Sequence, residues 1–211
     1  MEKQKVSLVV IRRLPRYYRY LGDLLKVGIE KMSSKELGVQ MGLTASQIRQ
    51  DLSCFGGFGQ QGYGYNVRHL HEQIGQILGT DHIYPAVMVG AGNLGRAIAK
   101  HIEFRNRGFN LIGIFDVNPD IIGTRINGVE IINMKKMDEF IAEKKPKVAI
   151  LTLPRQEAFD VAVRLHRLGI GWLWNFSNDD IIIDGVEIEN VHLEDSLMTL
   201  CYRIFEREQN D

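Results

Sequence analysis

The sequence predicts an α/β protein in two parts: a small helical N-terminal domain closed by a glycine-rich hairpin, then a doubly wound parallel sheet. Three observations predict it. From residue 84 onward, short apolar runs alternate with amphipathic stretches in the rhythm strand, helix, strand. The first run leads into a G-x-G-x-x-G spacing, Gly90, Gly92 and Gly95, within VMVGAGNLGRA. The zero net charge is also unevenly divided. Residues 1–79 hold 11 Lys and Arg against 6 Asp and Glu, and residues 80–211 hold 15 against 20. That asymmetry places a domain boundary near residue 80 and makes the basic part the candidate for contact with a polyanion.

Composition narrows the class further. The 211 residues allow one large domain or two small ones. With 45% hydrophobic and 25% charged residues, the chain is ordinary globular material. No apolar stretch approaches the ~18 residues of a membrane span, and the N-terminus carries no signal-peptide pattern. The expectation is a cytoplasmic protein with no membrane partner. Cys54 and Cys201 form no C-x-x-C pair, and the six histidines show no ligand spacing, so no metal is expected.

The elements follow in order. Pro15 fits the first position of a helix through RYYRYLGDLLKVGI, with Tyr17, Tyr20, Leu21, Leu24 and Leu25 at helical spacing and Gly28 at its end. Ser33 and Glu36 form a capping-box pattern for a second helix over 34–41, stopped by Gly42. Thr44 caps a third helix, about 45–54, with Ile48, Leu52 and Phe55 as its apolar stripe. In FGGFGQQGYGYNV, five glycines alternate with aromatics and amides, which favours a tight hairpin. Residues 70–79 make a linking helix. The runs YPAVMVG, FNLIGIFD, KVAILTLP and GWLWNF read as strands buried on both faces. The intervening segments from 93, 134 and 156 read as helices. Residues 126–132 and 183–189, with Asn-Gly and Asp-Gly, suggest small hairpins. Leu197, Leu200, Cys201, Ile204 and Phe205 line one face of a terminal helix.

The glycine spacing sits in the setting that gives it meaning, after a strand and before a helix. Gly90 allows the tight turn, Gly92 a close approach of backbone to a pyrophosphate, and Gly95 close helix packing. The helix N-terminus near Asn93 and Leu94 offers free N–H groups to phosphate. Asp116 ends the second strand, 21 residues after Gly95. An acid there accepts from ribose hydroxyls and repels a 2′-phosphate, which favours NAD(H) over NADP(H). Ligands in such sheets lie across the carboxyl ends of the strands, which adds Thr152, Leu153, Pro154, Asn175 and Phe176.

A dehydrogenase also needs an acid–base group beside the hydride acceptor. No Tyr-x-x-x-Lys or His-Asp pair stands in a suggestive place, and His166 and His192 are the remaining candidates. The sheet domain is therefore equipped to bind the nucleotide without using it, and no catalytic residue is assigned. The first domain, with three short helices and then a glycine-aromatic hairpin, has the order of a winged helix-turn-helix. Its third helix presents Ser46, Gln47, Arg49 and Gln50 opposite Ile48 and Leu52. Arg and Gln can pair bidentately with guanine and adenine. Arg12, Arg13, Arg16 and Arg19 add charge that could meet phosphates or acidic partners. The rival readings are an NAD-dependent dehydrogenase with an accessory N-terminal domain and a regulator sensing another adenine nucleotide.

Taken together, RLPRYYRYL, SSKELG, IRQDLSCFGGFGQQGYGYNV, VGAGNLGRA, FDVNPDIIGTRINGV and ILTLPRQEA…WNFS resemble the Rex family of bacterial redox-sensing transcriptional repressors, from about residue 8 to 206. The resemblance implies a homodimer of winged-helix (1–80) and Rossmann (81–192) domains, with the terminal helix (193–211) swapped onto the partner. It implies palindromic double-stranded operator DNA as one partner, and NADH and NAD⁺ as sensed ligands, with NADH causing release. The recognition helix is then 45–54. The wing is 56–64, where Gly59, Gln60, Gln61 and Tyr63 are DNA candidates. The nucleotide loop is 90–95, Ala91 included, with Asp116 as the ribose acid and Val117 beside it. Arg16 matches an arginine that couples the domains through an acidic residue before the terminal helix; this chain has His192 there, with Glu194 and Asp195 following. A histidine makes a pH-sensitive switch an expectation. Gln50, Gln60 and Gln61 replace basic residues common in the family, which implies a shallower salt dependence.

Overall fold

The computed structural model describes residues 6–56, 59–60 and 64–210, and the chain divides into two compact units, Met1–Asp81 and His82–Asp211. In the first unit, α1 (Leu8–Lys26) is followed by β1 (Lys31–Met32), α2 (Ser34–Met41), α3 (Ala45–Ser53), β2 (Gly59–Gln60), β3 (Gly64–Asn66) and α4 (Val67–Leu78). The capping signals act as written. Ser33 and Glu36 complete a capping box, Thr44 Oγ1 accepts from the Gln47 amide, and Gly42 takes the left-handed conformation that ends α2.

Pro15 is a correction. It lies inside α1, not at its start, and Ser7 is the cap. An interior proline costs a helix about 3 kcal/mol. Here Val10, Leu14, Tyr17, Leu21 and Leu24 form one buried stripe that runs through the proline. Full burial of a single Leu contributes about 1.5–3 kcal/mol, so a stripe of five offsets the loss. The strands make an antiparallel sheet in the order β1-β3-β2, with Met32 and Gly59 both opposite Tyr65. The two residues of β1 are too few to show a period in sequence. At Gly64, with φ +74°, an added Cβ would lie 2.6 Å from the Met32 carbonyl oxygen, so only glycine fits.

The second unit contains β4 (Tyr84–Val89), α5 (Asn93–His101), β5 (Phe109–Asp116), β6 (Arg125–Ile126), β7 (Val129–Asn133), α6 (Met137–Lys144), β8 (Val148–Leu151), α7 (Arg155–Arg167), β9 (Trp172–Asn175), β10 (Glu187–Asn190) and α8 (Leu193–Asn210). The sheet order is β10-β9-β8-β4-β5-β7-β6, with only the β6–β7 pair antiparallel. This is the doubly wound order, which reverses between β4 and β8, and ligands bind outside the carboxyl ends at that switch point. Those ends carry Gly90 and Thr152.

Side chains alternate between two core layers. Val87, Ala149 and Leu173 meet Met137 and Ile141 of α6 and Ala158 and Leu165 of α7. Met88, Ile114 and Ile150 lie in the other layer with Ile98 and Ala99 of α5. On that layer's side, the start of the sheet leaves an apolar groove of about 740 Å³ lined by Val148, Ile150, Trp172, Trp174, Ile102 and Phe109.

The hairpin expected at 126–132 forms, with Asn127 and Gly128 both at positive φ as a type I′ turn requires. The one expected at 183–189 does not. Only Gly185 of its turn has positive φ, and the chain leaves it as β10, parallel to β9. The terminal helix α8 buries none of its residues: Leu197 is 66% and Phe205 59% exposed. No helix among the described residues is long and apolar enough to cross a membrane.

Candidate functional site

The glycine loop is built by steric exclusion. Gly90 has φ +97°, and a Cβ there would lie 2.5 Å from the Thr152 carbonyl oxygen. A Cβ on Gly95 would collide with the Gly90 carbonyl oxygen and lie 2.6 Å from Thr152 Oγ1. That hydroxyl donates to the Gly90 carbonyl at 2.7 Å, pinning the end of β8 to the turn after β4. Gly92 is the opposite case. It begins α5, nothing lies within 4 Å of its missing Cβ, and no side chain caps the helix. The result is an open cradle with the first amides of α5, at Asn93 and Leu94, offered to an anion.

Asp116 stands at this loop. Its Oδ2 accepts from the Ala91 amide at 2.6 Å and its Oδ1 from the Asn118 amide at 2.8 Å. Each carboxylate oxygen keeps a further lone pair for a hydroxyl. The structure thus brings Gly90, Ala91, Gly92, Gly95, Asp116, Thr152 and Leu153 together, with Val117 exposed beyond them. Pro154 precedes α7, which also lacks a side-chain cap.

Asn175 is buried, with both amide protons engaged. Its Nδ2 donates to the Asp179 carbonyl at 2.7 Å and to Asn190 Oδ1 at 2.8 Å, and its Oδ1 accepts from the Ser177 amide at 3.0 Å. It frames the loop after β9 and has no donor left for a ligand. Phe176 follows it, with the Trp174 ring edge-on at 4.6 Å and its own amide on the Leu151 carbonyl. Sequence reasoning passed over Ser177, whose buried Oγ has no partner among the described residues. A small polar residue directly after a strand end was the available signal.

In the first unit, α3 turns Ile48 and Leu52 inward and leaves Ser46, Arg49 and Gln50 exposed. Arg49 Nη1 donates to Ser34 Oγ at 3.1 Å. Asp51, fully buried on the same helix, is the residue the sequence did not flag. Arg13 donates to both of its oxygens, from Nε at 2.7 Å and from Nη2 at 2.6 Å. The Tyr17 hydroxyl donates at 2.7 Å and Gln47 Nε2 at 2.9 Å. Burial pushes the Asp51 carboxyl up, but the bonds from Arg13, Tyr17 and Gln47 outweigh it and hold the group below the usual carboxylate range. Burial, and then the bond to Asp51, raise the Tyr17 phenol. Arg13 and Gln47, both named as DNA candidates, are therefore tied into the domain. Arg12, Arg16 and Arg19 are exposed on α1. Gly59 lies in β2; the Gln60 side chain, Gln61 and Tyr63 lie outside the described residues.

His192 stands before α8 in a clasp. Nε2 meets Asp180 Oδ1 at 2.9 Å and Nδ1 meets Asn178 Oδ1 at 3.2 Å, while Asn178 Nδ2 donates to Glu194 at 3.4 Å. The Asp180 bond, helped by the charges of Asp180, Asp195 and Asp179, holds the imidazole above its ordinary value. Among the described residues, no group of three or more His, Cys, Asp or Glu is placed to hold a metal.

Comparison with known proteins matches this layout. A family described as "Putative DNA-binding protein N-terminus" matches residues 5–53, and one described as "CoA binding domain" matches residues 81–178. A redox-sensing transcriptional repressor Rex from Thermoanaerobacter pseudethanolicus is 53% identical over 208 residues, covering 98% of this chain and 93% of that relative. The structure of a protein called RSP in complex with β-NAD⁺ and operator DNA is 52% identical, covers 98% of this chain and 95% of that one, and superposes with a TM-score of 0.87. RSP in complex with β-NADH gives 48% identity, 98% and 97% coverage and a TM-score of 0.88.

Two pH effects follow. A carboxylate held low stabilises the fold above its unfolded value of about 3.9, and that contribution is lost as pH falls through the folded value. Resistance of the first unit to denaturant should therefore fall in acid below about pH 4. Asp51→Asn should flatten that dependence and cost about 2 kcal/mol at neutral pH. For His192 the sign is opposite: the clasp is fully formed below about pH 6.5 and loosens as pH rises through the raised value. An NMR titration of the ring should give a midpoint above about 6.5, and Asp180→Asn should bring it back down.

Proposed function

The chain belongs to the Rex family of redox-sensing transcriptional repressors, and from that premise we propose how its residues divide the work. The first domain, 1–80, reads palindromic operator DNA. The second, 81–192, binds NADH or NAD⁺ as a signal. NADH releases the operator, so transcription follows the NADH/NAD⁺ ratio. The observation that carries this reading is the open cradle at Gly92, joined in one chain to a helix that turns Ser46, Arg49 and Gln50 outward.

The residues fit a dinucleotide. The uncapped start of α5 suits a pyrophosphate, and Gly92 leaves room for it. Asp116 is positioned to accept from ribose hydroxyls and to disfavour a 2′-phosphate. Thr152 and Leu153 border the loop, Pro154 follows them, and Ser177 Oγ is a buried hydroxyl in need of a partner. Phe176 adds an aromatic wall. No catalytic role is assigned: His192 is held on both ring nitrogens, and His166 lies within α7. The nucleotide is held, not turned over.

On the DNA side, Arg49 and Gln50 meet base edges and Ser46 and Arg12 meet phosphate, with Gly59, Gln60, Gln61 and Tyr63 assigned to the wing. The protein acts in the bacterial cytoplasm, where its operator is. The terminal segment, 193–211, is swapped onto a second copy. A lone helix of this length is marginal in water, and α8 exposes Leu197, Leu200, Ile204 and Phe205, so a partner must cover it. NADH and NAD⁺ differ by one hydride and one positive charge, and a ligand shifts an equilibrium only by its differential affinity for the two states. The apolar face of α8 favours a neutral ring, because desolvating a cation costs more. Arg16 and His192 are the residues assigned to carry the change between the domains.

Arg49→Ala should weaken operator binding about ten- to a hundred-fold in gel shifts and leave NADH affinity unchanged in fluorescence titration. Asp116→Ala should do the reverse, lowering NADH affinity while nucleotide-free protein still shifts the operator. Loss of both activities in both variants would defeat the division of labour. Leu197→Arg combined with Phe205→Arg should yield monomers in sedimentation velocity, with operator binding lost.

A further inference from the structure

Asp51 accepts two hydrogen bonds on each oxygen, from Arg13 Nη2 and Gln47 Nε2 on Oδ1 and from Arg13 Nε and Tyr17 on Oδ2. A carboxylate has no proton to give. The end of the Gln47 amide that faces it must therefore be the NH₂ group, whatever the amide would choose in water. Asp51 lies one turn after Gln47 on the same helix, and Gln47 is the third residue of α3, in the part of a recognition helix that meets bases. Gln47 is half-buried and borders the cleft between α1 and α3 together with exposed Gln50.

We infer that Asp51 is a positioning residue for sequence reading: it fixes the Gln47 amide so that one N–H and the carbonyl oxygen face the major groove, selecting adenine over guanine at one base pair. The reasoning is a count of donors. Gln47 has two amide protons and one carbonyl. Asp51 takes one proton. Adenine presents an acceptor at N7 and a donor at N6, which matches the remaining proton and the carbonyl. Guanine presents acceptors at both N7 and O6, which would need two protons. A free glutamine could rotate to suit; this one is held at 2.9 Å by a buried charge that Arg13 fixes in turn. The inference rests on α3 being the DNA-reading helix.

The test is selection of a random duplex pool by nucleotide-free full-length protein, comparing wild type with Gln47→Met and Asp51→Asn. Wild type should recover one half-site position with adenine over guanine by about ten-fold or more. Gln47→Met should lose that preference at that position alone. Asp51→Asn should lose it at the same position while the preferences set by other side chains persist, because the amide is then free to turn. The inference is overturned if Asp51→Asn weakens all positions in proportion, the result of a merely structural role, or if Gln47→Met changes none. Should Asp51→Asn not fold by circular dichroism, Gln47→Met, which keeps the Arg13–Asp51 pair, decides alone: retained adenine preference overturns the idea. If wild type selects no duplex at all, it is the DNA-binding reading that fails.

Discussion

The glycine loop after β4 depends on how closely three pieces of backbone approach one another. Gly90, Thr152 and Gly95 meet with no room for one added carbon, so the ends of β4 and β8 and the start of α5 are locked to a common point. That point is where the sheet order reverses. Asp116 reaches the same loop from β5 through the Ala91 amide. Two strands and a helix are thus registered by contacts that only glycine permits, and β5 joins them through a carboxylate. A substitution there would shift the helix N-terminus, the feature that attracts phosphate, before it altered any ligand-contacting side chain. The site is a property of the backbone, which is why its chemistry needs so few polar side chains.

The first unit solves its registration problem with charge. Asp51 joins α3 to α1 through Arg13 and Tyr17 in a largely dry setting. A buried ion is tolerated only when every lone pair is used, and here four donors serve two oxygens. Removing one partner is costly because the remainder stays buried and unpaired. An apolar replacement could hold the helices together as well, but it would leave the neighbouring glutamine free to rotate. The ionic arrangement fixes direction as well as distance.

The contrast explains what was legible in the sequence. Glycine spacings, capping boxes and apolar runs record local backbone requirements, and they gave the sheet order's parts, the caps of α2 and α3, the glycine loop and Asp116. What escaped were relations between distant residues. Asp51 looks in sequence like one polar residue on a solvated face; only the fold places Arg13, 38 positions away, against it. Asn175 reads as a ligand candidate at a strand end, and the sequence does not show that Asp179 and Asn190 take both its amide protons. Pro15 reads as a helix start because propensity is local, while the stripe that carries α1 through it is a tertiary matter. β10 failed for the same reason: its turn resembles that of β6 and β7, but its pairing is with β9.

Among the described residues, α8 and the groove over Val148, Ile150, Trp172 and Trp174 are apolar surfaces left uncovered. Together they bear on how a redox signal can be read. On the proposed reading, contacts from the start of α5 to phosphate and from Asp116 to ribose would be the same for both forms of the nucleotide. They add affinity without discrimination, and a ligand bound equally by two states shifts nothing. Discrimination must come from groups that meet the nicotinamide end, where charge and hydride differ. An apolar surface contributed on assembly can supply the difference, because it penalises the cation and accepts the neutral ring. On the proposed reading dimerisation is part of the sensor itself, and a second copy is what would cover the exposed apolar residues of α8.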